Sequence, residues 1–275
     1  MSKKVAGWMR AEHTQTKRFN ETKKIVDSGY EVSYRNMFQR DKDRILYSRA
    51  FRRLKGKTQV FLAGFDDHMR DRLTHTLEVA QLAKTISSSL GLDEDLTEAI
   101  ALGHDIGHTP FGHVGERTLN EIMSGKVNIK NFNMCSSEQK GFKHNWQSLR
   151  VLEELEKDEG LNLTNYTLWG ILNHSSLKMR GYDKRPQFYS EKYSKLIDNS
   201  NENWTIEALI VRVADEIAQR HHDIEDGLFA KIIGKDEVLN LFKETFKDKI
   251  STDNKFIPQF FQVIYSNHLY NYLSL

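Results

Sequence analysis

Only one cysteine, Cys135, stands in the 275-residue chain, so the fold has no internal disulfide to rely on. A reducing, cytoplasmic setting is the simplest reading of such a lone thiol. Proline is almost as scarce, at Pro110, Pro186 and Pro258. Helices can therefore run without interruption, and an all-α fold is the expectation. No apolar run approaches the roughly 20 residues that cross a bilayer. The opening MSKKVAGWMRAEH has no long apolar stretch of the kind that marks a secretory signal. A strong field of one sign is also missing, since 40 basic residues face 38 acidic ones. Net charge thus gives no reason to expect a nucleic-acid partner, and only the patch RRLKGK, residues 52 to 57, speaks for one. Against these absences, 39% hydrophobic and 28% charged residues describe a globular chain long enough to bury a sizeable core.

Periodicity places the elements. Residues 43 to 58, DRILYSRAFRRLKGKT, read as a basic helix ending near Gly56. The following QVFLAGFDDHMRD reads as a loop or brief strand. Residues 71 to 90 are strongly helical: Leu73, Leu77, Ala80 and Ala83 form a stripe that Val79, Leu82 and Ile86 widen, and Gly91 stops it. DEDLTEAIALGHDIGHTPF reads as a second helix, with acidic residues at its start and an end at Pro110. Residues 124 to 143 are polar and irregular. Helical periodicity resumes at 144 to 157 and in LWGILNHSS, and 180 to 200 read as a charged loop. In residues 204 to 228, Ile206, Ile210, Val213, Ile217 and Ile224 make a core stripe, with Asp215 on the neighbouring stripe beside Val211.

The stretch HDIGHTPFGHVGE, residues 104 to 116, crowds three histidines and two carboxylates into thirteen residues. A core does not need them, and a solvated face is more often lysine and glutamate. Four residues on three inward helical faces have the chemistry of metal ligands: His75, His104, Asp105 and Asp215. Neutral imidazole suits divalent transition metals, and carboxylates balance their charge. A lone inward histidine is usually a hydrogen-bonded core residue. An inward aspartate is costlier to explain that way, because an unpaired buried carboxylate is strongly disfavoured. Two histidines and two carboxylates leave room on an octahedral ion for water and substrate.

These residues, in the pattern H…HD…D, resemble the HD-domain phosphohydrolases, and the closer likeness is to the deoxyguanosine triphosphate triphosphohydrolase branch. The strings that carry it are SRAFRRLKGKTQVF (48–61), RLTHTLEVA (72–80), HDIGHTPFGHVGE (104–116), HNWQSLR (144–150), ILNHSS (171–176) and ADEIAQRHHDIEDGL (214–228). The resemblance implies a single all-α, HD-type helical bundle over 1–275, with its motif core at about 35–230 and further helices in 231–275. It implies hydrolysis of a deoxynucleoside triphosphate to deoxynucleoside and tripolyphosphate. The cofactor would be one divalent metal, Mn, Mg, Fe, Co, Ni or Zn, held by His75, His104, Asp105 and Asp215.

Within that frame, His113 is the expected acid for the sugar 5′ oxygen. Glu116 would orient it, because a carboxylate fixes an imidazole's tautomer and raises its basicity. His108 would contact phosphate. Arg72 holds the place where related enzymes touch phosphate, and Arg53 lies in the basic cluster before it, with Arg52, Lys55 and Lys57. His144 and Asn145 match a position lining the phosphate pocket. His174 is expected to touch substrate or support a ligand, and Asp223 to accept from the sugar 3′ hydroxyl. His13, His68, His268, His221 and His222 carry no pattern and suit packing or solvent. By the same resemblance the chain would be a homo-oligomer, with an allosteric nucleotide left open as a second partner and no membrane. Two departures stand out: Gln219 where the branch has tyrosine, and a chain short for the branch. Alternative expectations are an HD phosphohydrolase acting on a monophosphate or cyclic nucleotide, and a non-catalytic deoxynucleotide-binding regulatory protein.

Overall fold

The structure is a computed structural model. It describes residues 4–5, 8–9, 17, 35–57, 71–127, 129, 141–156, 160–174, 193, 196 and 205–246. Helix dominates. The only paired strands among the described residues are Lys4–Val5 and Trp8–Met9, antiparallel, with Lys4 opposite Met9. Two compact units are distinguished, Met1–Ala218 and Gln219–Leu275.

In the first unit, α1 (Met37–Leu46) begins at a capping box: Asn36 accepts from Gln39 N, and the Gln39 side chain accepts from Asn36 N. The basic helix expected over 43–58 is broken. α1 closes at Tyr47, and Ser48 accepts from Phe51 N to start α2 (Arg49–Arg52), which tightens into a single 3₁₀ turn over Arg53–Gly56. Ser48 breaks it because a serine hydroxyl competes for backbone donors and favours a helix start over a helix interior.

α3 (Arg72–Ser89) starts at Asp71, which accepts from Thr74 N. Its buried face matches the expected stripe at Val79, Ala80, Ala83 and Ile86 and departs from it elsewhere. Leu77 is 48% exposed, whereas Arg72, His75, Thr76, Val79, Ala83 and Ile86 are buried. An apolar count misplaces the face because three of the inward residues are polar and find partners inside. α4 (Glu94–Gly103) is capped by Asp93 and buried on nearly every side, packing on α1, α3 and α7 (Asn165–Asn173). It stops at Gly103, not Pro110, and residues 104–107 form turns.

Where α4 crosses α7, each helix offers the other a glycine. A Cβ on Gly103 would lie 2.4 Å from Ile171 Cδ1, and a Cβ on Gly170 would lie 2.4 Å from Ile100 Cδ1. The reciprocal notch lets the two backbones approach closely and leaves their C-terminal ends, His104 and His174, side by side.

After the turns, Phe111 adopts φ 66°, a strained left-handed geometry for a large residue, and α5 (Gly112–Met123) runs back. α6 (His144–Arg150) continues into one π turn over Val151–Leu155. α8 (Ile206–Phe229) buries Ala208, Ile210, Val211, Ala214 and Ala218, while Val213 is 39% exposed, so the inward face keeps Ile210 of the expected stripe and is centred on the Val211 side, which carries Asp215. The second unit holds the end of α8 and then α9 (Lys235–Phe246). The expected loops at 59–70 and 180–192, most of 124–143, and Cys135 lie outside the described residues.

A buried polar knot ties α1 to α7. Asp41, fully buried, accepts from Thr164 N at 2.8 Å, Thr164 Oγ1 at 2.7 Å and Thr167 Oγ1 at 2.8 Å. An Asp41→Ala variant strands these donors, which costs about 3 kcal/mol. The expected outcome is a urea midpoint clearly below that of the parent chain, with the helical signal of the folded state unchanged.

Candidate metal centre

His75 faces inward from the first turn of α3, and Asp215 from α8; His75 Nε2 lies 3.0 Å from Asp215 Oδ1. His104 caps α4 and is fully buried. Its Nδ1 lies 2.6 Å from Ala101 O. A carbonyl only accepts, so Nδ1 carries the proton and Nε2 presents a lone pair. That lone pair has no hydrogen-bond partner among the described residues. It faces Asp105 Oδ1 at 3.5 Å and Asp215 Oδ1 at 3.8 Å. A lone pair turned on two carboxylates is repulsive unless a cation lies between them. His75, His104 and Asp215 indeed bring three donor atoms within 4.8 Å of one another. The residues therefore fit a divalent metal.

Electrostatics agree. Burial would raise Asp105, but His104, His108 and Arg72 overturn that and hold it well below the usual carboxylate range. For Asp215 burial is likewise outweighed, by the hydrogen bond from His75 and by His104, which bring it down to about 2. Burial drives the neighbouring His108 down to about 3. Ionised carboxylates are the form in which Asp105 and Asp215 can hold a cation. Arg72 Nη1 donates to Asp105 Oδ2 from a buried position on α3.

The turn that carries Asp105 is held from two sides. Lys57 Nζ donates to Ile106 O at 2.8 Å, and burial lowers its ammonium to about 8. On the other side, Gly107 N donates to Ser148 Oγ at 2.9 Å, and that hydroxyl lies 3.1 Å from both His104 O and His144 O. A Cβ on Gly107 would fall 2.2 Å from His144 O and from Ser148 N, so only glycine lets the turn rest on α6. Gly107 and Ser148 escaped notice in the sequence. The available signal was Ser148 standing one helical turn after His144.

Other expected residues fall as follows. His108 is not on a helix shared with His104, because the chain turns after Gly103; the turn still brings its Nε2 to 3.3 Å from Asp105 Oδ1. Glu116 is buried and engages His144, taking Nδ1 at 3.1 Å and the backbone N at 3.0 Å. His113 Nδ1 stands further off, 3.7 Å from Glu116 Oε2, with its side chain 69% exposed. Asn145 donates to Leu172 O at 2.6 Å and so links α6 to α7. His174 sits against His104, ring centroids 5.1 Å apart, and its Nε2 lies 3.3 Å from His144 Nε2. Arg53 is exposed on its 3₁₀ turn. Asp223 belongs to the second unit and is exposed there.

An all-α site that joins a histidine, a His-Asp pair and a distant aspartate defines the class. The HD domain family model matches residues 72–220, and the chain belongs to the HD-domain family. It is 43% identical over 231 residues to a deoxyguanosinetriphosphate triphosphohydrolase-like protein of Pelagibacter ubique, covering 81% of this chain and 58% of that protein. Proteins with the same description from Caldanaerobacter subterraneus and Clostridium tetani are 46% and 40% identical, over 74% and 84% of this chain and 49% and 59% of theirs. The chain thus spans about half the length of the curated relatives it matches.

The Glu116 carboxylate, which takes the N–H of His113, raises His113 above the ordinary histidine value of 6.5. A raised folded-state value stabilises the fold below pH 6.5, and the contribution fades as pH climbs through the raised value. In an NMR titration of the metal-free chain, His113 should titrate above the ordinary value, and Glu116→Gln should return it toward that value.

Proposed function

We infer that the chain is a metal-dependent phosphohydrolase that cleaves deoxynucleoside triphosphates to deoxynucleoside and tripolyphosphate. The carrying observation is the bare Nε2 of His104, set against the oxygens of Asp105 and Asp215. His75, His104, Asp105 and Asp215 would hold the ion. When bound, it would polarise a phosphate oxygen and acidify a water. The names of the similar proteins support the nucleotide class.

Arg72 is committed to Asp105, so its first task is to keep that carboxylate charged and aimed. Lys57 fixes the same turn from its other side. His108 and His144 stack face to face, centroids 3.9 Å apart, and make an imidazole wall beside Asp105. Cleavage at the sugar 5′ oxygen needs a proton for the leaving alkoxide. His113 is exposed and raised by Glu116, so it is charged at mildly acidic pH and can reload from solvent. It is the acid in this reading, and Glu116 positions it. Asn145, His174, Arg53 and Asp223 stay proposed contacts of substrate, as do a homo-oligomeric state and an allosteric nucleotide.

A panel of deoxynucleoside triphosphates with several divalent metals, read by separating tripolyphosphate, pyrophosphate and phosphate, tests the reading. Tripolyphosphate should be the inorganic product, and a His104→Ala, Asp105→Ala double variant should give none. His113→Ala should lose about 10²- to 10⁴-fold in kcat while keeping its metal. Phosphate or pyrophosphate as the product would instead indicate an enzyme of another nucleotide class. Tight nucleotide binding without turnover would indicate a regulatory binder.

A further inference from the structure

The segments that carry the proposed ligands are held by contacts that close into a ring. Lys57 joins two of them. Its O accepts from the N of Arg72, the first residue of α3, at 3.1 Å, and its Nζ donates to Ile106 O, next to Asp105, at 2.8 Å. Ser148 on α6 meets the same turn through Gly107 N. The turn is thus gripped by Lys57 on one side and by α6 on the other, and these two holders meet again at their far ends. There Glu156, buried at the close of the π turn, accepts from Ala50 N in the first turn of α2.

α2 depends on such a contact more than a long helix would. It runs only from Arg49 to Arg52 before tightening into the 3₁₀ turn that closes at Lys57. A helix this short leaves its first-turn donors without partners of its own and does not hold its geometry alone. Ser48 takes one of those donors, Phe51 N, from within the same segment. Ala50, Phe51 and Leu54 give the segment a buried apolar face, but apolar burial is non-directional and fixes neither its rotation nor its advance along the axis. Glu156 supplies the directional contact from 106 residues away. Its own backbone is pinned on both sides: its N donates to Val151 O at 2.9 Å, closing the π turn, and its O accepts from Gly160 N at 2.8 Å. Single π turns recur at functional sites, and this one aims a carboxylate at α2.

We propose that Glu156 is a positioning residue. By capping α2 it sets the place of Lys57, and through Lys57 it keeps the 104–107 turn against the start of α3, where Asp105 meets Arg72. What the held turn is for rests on the metal reading of the site; the holding itself does not.

Two measurements test the role: hydrogen exchange of backbone amides in the metal-free chain, read by mass spectrometry, and Mn²⁺ affinity, read by isothermal titration calorimetry. Glu156→Ala should lose protection over 104–108 as well as over 49–57. It should also bind Mn²⁺ about 10-fold more weakly, the loss typical of a group that supports a ligand without touching the metal. Glu156→Gln keeps an oxygen for Ala50 N and should restore both. A Lys57→Met, Glu156→Ala double variant should bind Mn²⁺ no more weakly than Lys57→Met alone, because the two residues act in series. Glu156→Asp, which draws the acceptor back by one methylene, takes the place of Glu156→Ala if circular dichroism shows that the alanine variant is unfolded. Additive losses in the double variant, or protection lost over 49–57 and kept over 104–108, would overturn the proposal, leaving Glu156 a local cap and the metal reading intact. A parent chain that binds no Mn²⁺ would refute the metal reading instead, and exchange over 104–108 would then decide the role of Glu156 alone.

Discussion

Everything about the site follows from how a buried imidazole nitrogen is left when its ring partner is already bonded. Once the Ala101 carbonyl takes the Nδ1 proton of His104, the ring's other nitrogen can only accept. A buried acceptor facing carboxylates is among the least favourable arrangements a core can contain. Folding alone gives no reason to keep it, because an aliphatic side chain would fill the same volume at lower cost. The arrangement makes sense as half of a coordination shell, completed by a cation that also relieves Asp105 and Asp215. The surrounding groups already carry part of that load. Arg72 meets the second oxygen of Asp105, and His75 meets Asp215, so the carboxylates remain ionised before any ion arrives.

The backbone supplies the precision. Ligands on α3, the 104–107 turn and α8 must converge, and convergence depends on how closely the helices pack. Gly103 against Ile171 and Gly170 against Ile100 seat α4 on α7 without room for a methyl group, and this places the two C-terminal histidines together. Gly107 then lets the turn lie directly on the start of α6, where Ser148 ties Gly107 N to the carbonyls of His104 and His144. Neither contact is apolar bulk. Each is a place where bulk had to be removed so that polar groups could meet, and the buried Asp41 knot stabilises the same α1–α7 region from behind.

The sequence was legible where the period was honest and misleading where polar residues faced inward. His75 and Asp215 were placed correctly because each lies one helical turn from a valine, and Val79 and Val211 are both buried. The stripes were right only in part: Val79, Ala80, Ala83, Ile86 and Ile210 are buried, but Leu77 and Val213 are apolar yet exposed, while Arg72 and Thr76 are polar yet buried. An apolar count has no way to credit a guanidinium whose partner, Asp105, comes from 33 residues away. The end of α4 was read too late because helix stops are usually read from proline, and Gly103 is there for packing. The facing pair of His144 and His174 was beyond reach. Their meeting depends on two short helices linked by Asn145 to Leu172 O, and nothing in the spacing of 144 and 174 announces it.

Exposure separates the imidazoles by the task each can perform. A metal ligand gains from burial, which shields its lone pair from water, and the proposed ligands His75 and His104 are both buried. A proton donor has the opposite requirement, because after each turnover it must recover a proton from water. His113 is open to solvent and raised by Glu116, whereas burial lowers His108 and His174. Glu116 stands between the two kinds, holding His144 firmly on one side and His113 loosely on the other. One carboxylate can thus fix the orientation of a buried ring and bias an exposed ring toward its charged form. The division of labour depends only on which ring water can reach.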